Sequence, residues 1–148
     1  MSKRVAYVAS CYSSHATGYR TQLFEQCQRA AVITRYAAEL KLAARIAVLS
    51  PVTHGHAIWM ASGCELGRTA LDWAEENDVL IRAATEIHVL RLRGWQDSLG
   101  LRVELELFRR RGIDPIWVDL PETFYRHRRE FLACHPGARD NETRPTAA

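Results

Sequence analysis

Hydrophobic positions along the chain alternate between two spacings. Val5–Ser10 is a short, nearly unbroken apolar run and predicts a first strand. Cys11–Gly18 is polar and turn-rich, hence a loop. Over Tyr19–Ala44, the residues Leu23, Cys27, Ala30, Ala31, Thr34, Ala38 and Leu42 recur at three- and four-residue steps, which predicts a helix. Ile46–Leu49 predicts a second buried strand, stopped by Ser50-Pro51. Val52–Gly63 has no clean period and reads as a long connection holding two histidines and a tryptophan; connections of that length often carry function. Glu65–Ala84 predicts a helix, Glu86–Leu92 a third strand and Arg93–Asp97 a loop. Ser98–Arg111 predicts a helix closed by Gly112, with Arg109–Arg111 complementing the negative end of its dipole. Ile116–Val118 predicts a fourth strand, Glu122–Ala133 a terminal helix, and 135–148 a frayed polar tail.

Strands that alternate with helices predict a mostly parallel sheet covered on both faces. Right-handed crossovers then give a doubly wound, flavodoxin- or Rossmann-like three-layer sandwich of four to five strands. A single α/β domain over 1–134 is expected. In such a sheet a ligand sits beyond the carboxyl ends of the strands. Those ends are Tyr7–Cys11, Ser50–His56, Leu92–Ser98 and Val118–Leu120, where the unusual residues also cluster.

Composition narrows the function classes. The 148 residues are 47% hydrophobic and 25% charged, which fits one globular domain and not a disordered chain. A net charge of +3 is too small to argue for nucleic-acid binding. Its placement is uneven: residues 1–47 hold seven positive and two negative side chains, 48–90 two and six, and 91–112 six and three. The basic blocks are split by an acidic one, so no basic stripe for nucleic acid is predicted. The cysteines Cys11, Cys27, Cys64 and Cys134 share no metal-site or CxxC spacing and read as free thiols. The N-terminal apolar run is too short for a signal peptide. The stretch Ala30–Val52 is cut by Arg35, Glu39, Lys41 and Arg45, and no segment reaches the ~20 unbroken apolar residues of a membrane helix. A cytoplasmic protein without membrane or nucleic-acid partners is expected.

The segment richest in candidate chemistry is Gly94-Trp95-Gln96-Asp97-Ser98-Leu99-Gly100, running into Glu104. It follows a strand and opens a helix. Ser98 is a good N-cap, and Gly100 lets a ligand approach the backbone. Free amides at the helix start suit an anion such as phosphate. Glu104 lies one turn on, on the same face as Gly100 and Phe108. A capping serine and a solvated glutamate explain the same residues, and spacing alone does not choose.

Three segments together carry a family resemblance: Tyr7-Val8-Ala9-Ser10-Cys11-Tyr12-Ser13, the Ser-Pro-x-x-His-x-His pattern of Ser50–His56, and the Gly-Trp-x-x-Ser-x-Gly-x-x-x-Glu pattern of Gly94–Glu104. Over roughly residues 4–120 the chain resembles the nucleoside 2-deoxyribosyltransferase-like superfamily, and most generally a small bacterial and phage group within it. The resemblance implies that Glu104 attacks C1′ of a nucleoside or nucleotide to form a covalent glycosyl-enzyme, as in retaining glycosidases. It implies that Tyr7 hydrogen-bonds this nucleophile, with Tyr12 as the runner-up. It also implies that Asp78 binds the sugar or assists proton transfer to the leaving base. As plain residues, Tyr7 is equally a sheet aromatic and Asp78 one more helix acid beside Glu75 and Glu76. Ser98 and Gly100 are the substrate-binding positions. Ser10 and Ser13 are candidates to line the sugar or phosphate side, and His54 to face the base, with His56 structuring its loop.

Relatives acting on free nucleosides usually carry an acid where Ser98 stands, and an acid there would repel a phosphate. The 5′-monophosphate N-glycosidase branch has Ser-Leu-Gly, as here. The resemblance therefore implies an N-glycosidase acting on a (deoxy)nucleoside 5′-monophosphate. Base exchange and a non-catalytic nucleotide sensor stay open. Arg20 and Arg102 are further cations without a motif, and Thr85 stands where relatives often have Asp. No metal or organic cofactor is implied. A homo-oligomer, dimeric or larger, is implied by relatives, with Phe124, Tyr125 and Phe131 as candidate interface or helix-docking residues.

Overall fold

In a computed structural model, the structure describes residues 3–13, 18–64 and 73–121. Four strands, β1 (Val5–Ala9), β2 (Ala47–Leu49), β3 (Glu86–Leu90) and β4 (Pro115–Val118), form one all-parallel sheet in the order β2-β1-β3-β4. Four helices connect them: α1 (Tyr19–Ala44), α2 (Pro51–Ala61), α3 (Ala74–Ala83) and α4 (Leu99–Arg110). This is the doubly wound three-layer α/β architecture that the alternating spacing predicts. The terminal helix Glu122–Ala133, the tail 135–148, Cys134 and the residues Phe124, Tyr125 and Phe131 lie outside the described residues, as do 65–72 of the second predicted helix, Glu65–Ala84.

The apolar strands are runs because both their faces are covered. Ala6, Tyr7, Val8 and Ala9 of β1 are fully buried. Tyr7, Ala9, Ile87 and Val89 pack on one face against Ile81 of α3 and Leu101 and Phe108 of α4. Val8 and Leu90 pack on the other face against Ile33, with Val32, Tyr36 and Leu40 of α1 beside them. The period-2 alternation along each strand thus sends alternate residues to different helices. Thr85 stitches the sheet's lower edge: its amide donates to the Val5 carbonyl at 2.8 Å, and its hydroxyl accepts from the Val5 amide at 2.9 Å.

One expectation is corrected. Residues 52–61 are helical and belong to α2, whereas the lack of a period predicts a connection. Ser50 both ends β2 and caps α2, accepting from the Thr53 amide at 3.3 Å, and Pro51 occupies the first turn, where a missing N–H is harmless. The helix has no deep apolar stripe because it leans on α1, through Thr34 and Thr53 hydroxyls 2.8 Å apart, and presses Gly55 against the Trp73 ring. Its only buried residue is Pro51. β3 also ends two residues earlier than predicted, at Leu90. There Arg91 pairs with β4 through the Val118 carbonyl, and the chain turns away.

At 26 residues α1 is about 39 Å long, roughly twice the span of a five-residue strand. It carries Tyr36 to a polar chain on its side of the sheet. The Tyr36 hydroxyl meets Nδ1 of His88 at 2.8 Å, His88 Nε2 meets Glu86 at 3.0 Å, and Arg4 grips both Glu86 oxygens at 3.0 Å.

Candidate active site

The opposite side of the sheet holds the pair formed by two of the candidate residues, Tyr7 and Glu104. Tyr7 projects from mid-β1 towards α4, and its hydroxyl donates to Oε1 of Glu104 at 2.7 Å. Two structural features set this distance. Strand alternation points Tyr7 at the α3/α4 layer, where its ring tilts against Phe108 with centroids 5.2 Å apart. Helix spacing places Glu104 one turn before Phe108, beside the buried Leu101 and Phe108 stripe.

The electrostatics of the pair are unbalanced. Burial pushes the Glu104 carboxyl up to about 7, and the Tyr7 hydrogen bond opposes that shift without overcoming it. Burial and the adjacent carboxylate push the Tyr7 hydroxyl far above its ordinary range, so it remains a donor throughout the accessible pH range. Among the described residues Oε2 of Glu104 has no hydrogen-bond partner, and no buried side-chain oxygen is left unpartnered. Oε2 therefore keeps at least some exposure on a carboxyl that is otherwise deeply set. One oxygen is held and the other is open.

Glu104 is presented by the turn that precedes its helix. After β3 the chain bends at Gly94, whose φ of 84° suits glycine, into a single 3-10 turn at Trp95–Asp97. Ser98 then caps α4, accepting from the Leu101 amide at 3.3 Å. No acidic residue lies in the first turn of α4, although exposed Asp97 immediately precedes the cap. A Cβ placed on Gly100 would meet open space, so the backbone there is free for a ligand to approach. Arg102 is occupied by the Gln96 carbonyl at 2.9 Å, and Arg20 is exposed in the first turn of α1.

The other sequence candidates fall in different places. Ser10 is buried and donates to the Leu90 carbonyl at 2.8 Å, tying β1 to β3. Ser13 is exposed, and its carbonyl accepts from Arg29. Asp78 lies on α3 with its side chain 48% exposed and is paired with Arg82 one turn on; among the described contacts it makes none with Tyr7 or Glu104. His54 is turned out to solvent from α2, and it is His56 that faces inwards. Nδ1 of His56 meets the Tyr12 hydroxyl at 2.7 Å, beside Trp59. Burial lowers the His56 pKa, which favours the neutral ring. The two histidines face different surroundings because Pro51–Ala61 is a helix: residues two apart point about 200° apart around its axis. That helix was legible in the Ser50-Pro51 cap.

Sequence reasoning also missed Arg111, which donates to the Ala84 carbonyl at 2.8 Å and to the Ile81 carbonyl, closing the end of α3. Among the described residues no group of three or more His, Cys, Asp or Glu is placed to hold a metal ion, and no helix is long and apolar enough to cross a membrane.

Comparison with curated proteins gives no match. A family described as a domain of unknown function, DUF1937, matches residues 4–119, a span that runs from the start of β1 through β4 and contains the whole Tyr7–Glu104 site. The chain belongs to the DUF1937 family.

Proposed function

We propose that the protein is an N-glycosidase that cleaves the N-glycosidic bond of a (deoxy)nucleoside 5′-monophosphate, with Glu104 as nucleophile. The observation that carries this reading is the asymmetry of Glu104: Oε1 is held by Tyr7 at 2.7 Å while Oε2 is open. In its ionised form such a carboxylate is oriented for attack and faces a cationic, oxocarbenium-like transition state that it stabilises. Oε2 forms a bond to C1′ as the C1′–N bond breaks. The base leaves with that electron pair and takes up a proton from solvent, which the attacking water returns in the second step. Water then attacks C1′, the ester bond to Glu104 breaks, and a sugar 5-phosphate is released.

Tyr7 contributes in two ways. It fixes the carboxylate rotamer, and it stabilises the ionised form against the desolvation that favours the neutral one. The phosphate assignment rests on Ser98, on the open backbone at Gly100, and on a first turn of α4 without acids. The resemblance to nucleoside 2-deoxyribosyltransferase-like proteins supports the same reading. It also keeps base exchange as the variant in which a second base, in place of water, resolves the intermediate.

The test is incubation with ribo- and deoxyribonucleoside 5′-monophosphates and the matching nucleosides, with chromatography for free base, alongside Glu104→Ala. Release from monophosphates that is lost in Glu104→Ala supports the reading. Release that survives Glu104→Ala overturns the nucleophile. Release from nucleosides alone overturns the phosphate assignment, and tight binding without release points to a sensor.

A further inference from the structure

Between the carboxyl ends of β1 and β3, one guanidinium gathers backbone from both flanking loops. Arg29 comes from the N-terminal half of α1. Its Nη1 donates to the Tyr12 carbonyl at 3.3 Å and to the Ser13 carbonyl, and its Nη2 donates to the Arg93 carbonyl at 3.4 Å. These carbonyls lie past the strand ends, where the ladder offers no partner. The Cys11 thiol shares the Arg93 carbonyl at 3.6 Å. Gly94, the bend that starts the path to Ser98, lies against the same guanidinium. In the order β2-β1-β3-β4 this gap is where the crossovers diverge, the first going to β2 and the later ones to β3 and β4.

We propose that Arg29 is a positioning residue for the Glu104 site: by tying the loop after β1 to the loop after β3, it fixes where the cap and first turn of α4 stand over β1. The proposal rests on the reading of Glu104 as nucleophile. Position passes along a short path. Trp95 bonds the Leu92 carbonyl at 3.0 Å, Asp97 the Gly94 carbonyl at 3.1 Å and Ser98 the Trp95 carbonyl at 3.3 Å, so the clamp at Arg93 is linked to the cap through consecutive backbone bonds. Tyr7 is on β1 and Glu104 on α4, so slack between the two loops loosens the alignment of the pair. Arginine suits this role because its planar fork offers donors in several directions at once, whereas a lysine ammonium is a point charge on a flexible stem. No carboxylate pairs with Arg29 among the described residues, so the tie holds independently of carboxylate titration.

The test compares wild type with Arg29→Met and Arg29→Lys. Three readouts are used: amide hydrogen exchange over 92–101, a carbon NMR titration of Glu104, and kcat and KM for base release from deoxynucleoside 5′-monophosphates. In Arg29→Met, exchange over 93–98 is expected to rise about tenfold. The Glu104 midpoint moves towards the ordinary carboxylate range as water enters. The kcat falls by about 10²-fold with KM little changed. Arg29→Lys keeps the charge and guards against loss of the fold; it is expected to recover only part of kcat. Exchange and titration unchanged in Arg29→Met, or full kcat in Arg29→Lys, overturns the proposal. If wild type releases no base, the glycosidase reading fails, while exchange and the Glu104 midpoint still decide whether Arg29 is the clamp.

Discussion

Two tyrosine hydroxyls, one on each side of the sheet, meet ionisable side chains at nearly equal distances: Tyr7 meets Glu104 at 2.7 Å, and Tyr36 meets His88 at 2.8 Å. The carboxylates behind them differ in their partners. Glu86 has the Arg4 guanidinium on both oxygens and His88 beside it, and the Arg4 bond leads in holding its pKa below the ordinary value. Among the described residues Glu104 has a single neutral donor and no cation, and burial pushes it up to about 7. A compensated carboxylate is a structural tie; an uncompensated one has a charge to give to a developing cation. The contrast separates a chain that anchors α1 and the N-terminus to β3 from the pair proposed as the active site.

The largest effect expected from this contrast is on rate. Glu104→Ala reduces base release by about 10³-fold or more, whereas Glu86→Gln leaves it within about twofold. Equal losses in both variants, measured by chromatography at matched protein stability, would break the comparison. The pH dependence sharpens it. Base release by wild type is expected to rise as pH rises through about 7, because the proposed nucleophile Glu104 reacts in its ionised form. Tyr7→Phe moves that midpoint upward, since the lost hydrogen bond favoured the charged state.

Stability carries the same signature with opposite signs. Glu104 binds its proton more tightly folded than unfolded, so its contribution is complete below about 4.5 and is lost as pH rises through about 7, up to about 3 kcal/mol. In Glu104→Gln, urea melts are expected to lose that slope and to show higher stability than wild type above pH 7. Glu86 binds its proton less tightly folded than unfolded; its contribution is present above its unfolded value and lost as pH falls through the folded one. Glu86→Gln is expected to destabilise by about 1 kcal/mol at neutral pH, discounted because Arg4 is largely exposed.

Smaller effects test the rim of the site. Gly100→Ala meets open space on a helix and is expected to stabilise by about 0.5–1 kcal/mol. The same methyl group obstructs close approach of a phosphate, so nucleotide affinity falls while the melting temperature rises. A calorimetric titration showing unchanged affinity would remove Gly100 from the binding surface. Asp78→Asn is expected to change stability by less than about 0.5 kcal/mol, since its partner Arg82 is exposed. A loss of base release beyond tenfold in this variant would return Asp78 to the catalytic set.

Much of this was legible in advance for local reasons. Apolar runs in Val5–Ala9 and Glu86–Leu90, and helical spacing through Leu101, Glu104, Leu105 and Phe108, are properties of a few consecutive residues. The Ser98 cap was readable for the same reason. The same local reading missed α2, because a helix held by another helix shows no deep apolar stripe, and it therefore placed His54 and His56 on a loop. Ser10 read as a candidate for the ligand side, yet its hydroxyl is spent on the Leu90 carbonyl of a strand that is distant in sequence. Nothing local distinguishes a carboxylate paired on the surface, such as Asp78, from one that is buried.

By itself the sequence determined the fold class, the parallel sheet buried on both faces, and the turn-and-cap that opens α4, because spacing and capping act over a few residues. Only the tertiary structure decided what Glu104 is. Its partner Tyr7 stands 97 positions away. Its raised pKa is produced by burial between the sheet and α4, where its helix packs Leu101 and Phe108 into the core. A charge's environment is a sum over space, and chain order does not carry that sum.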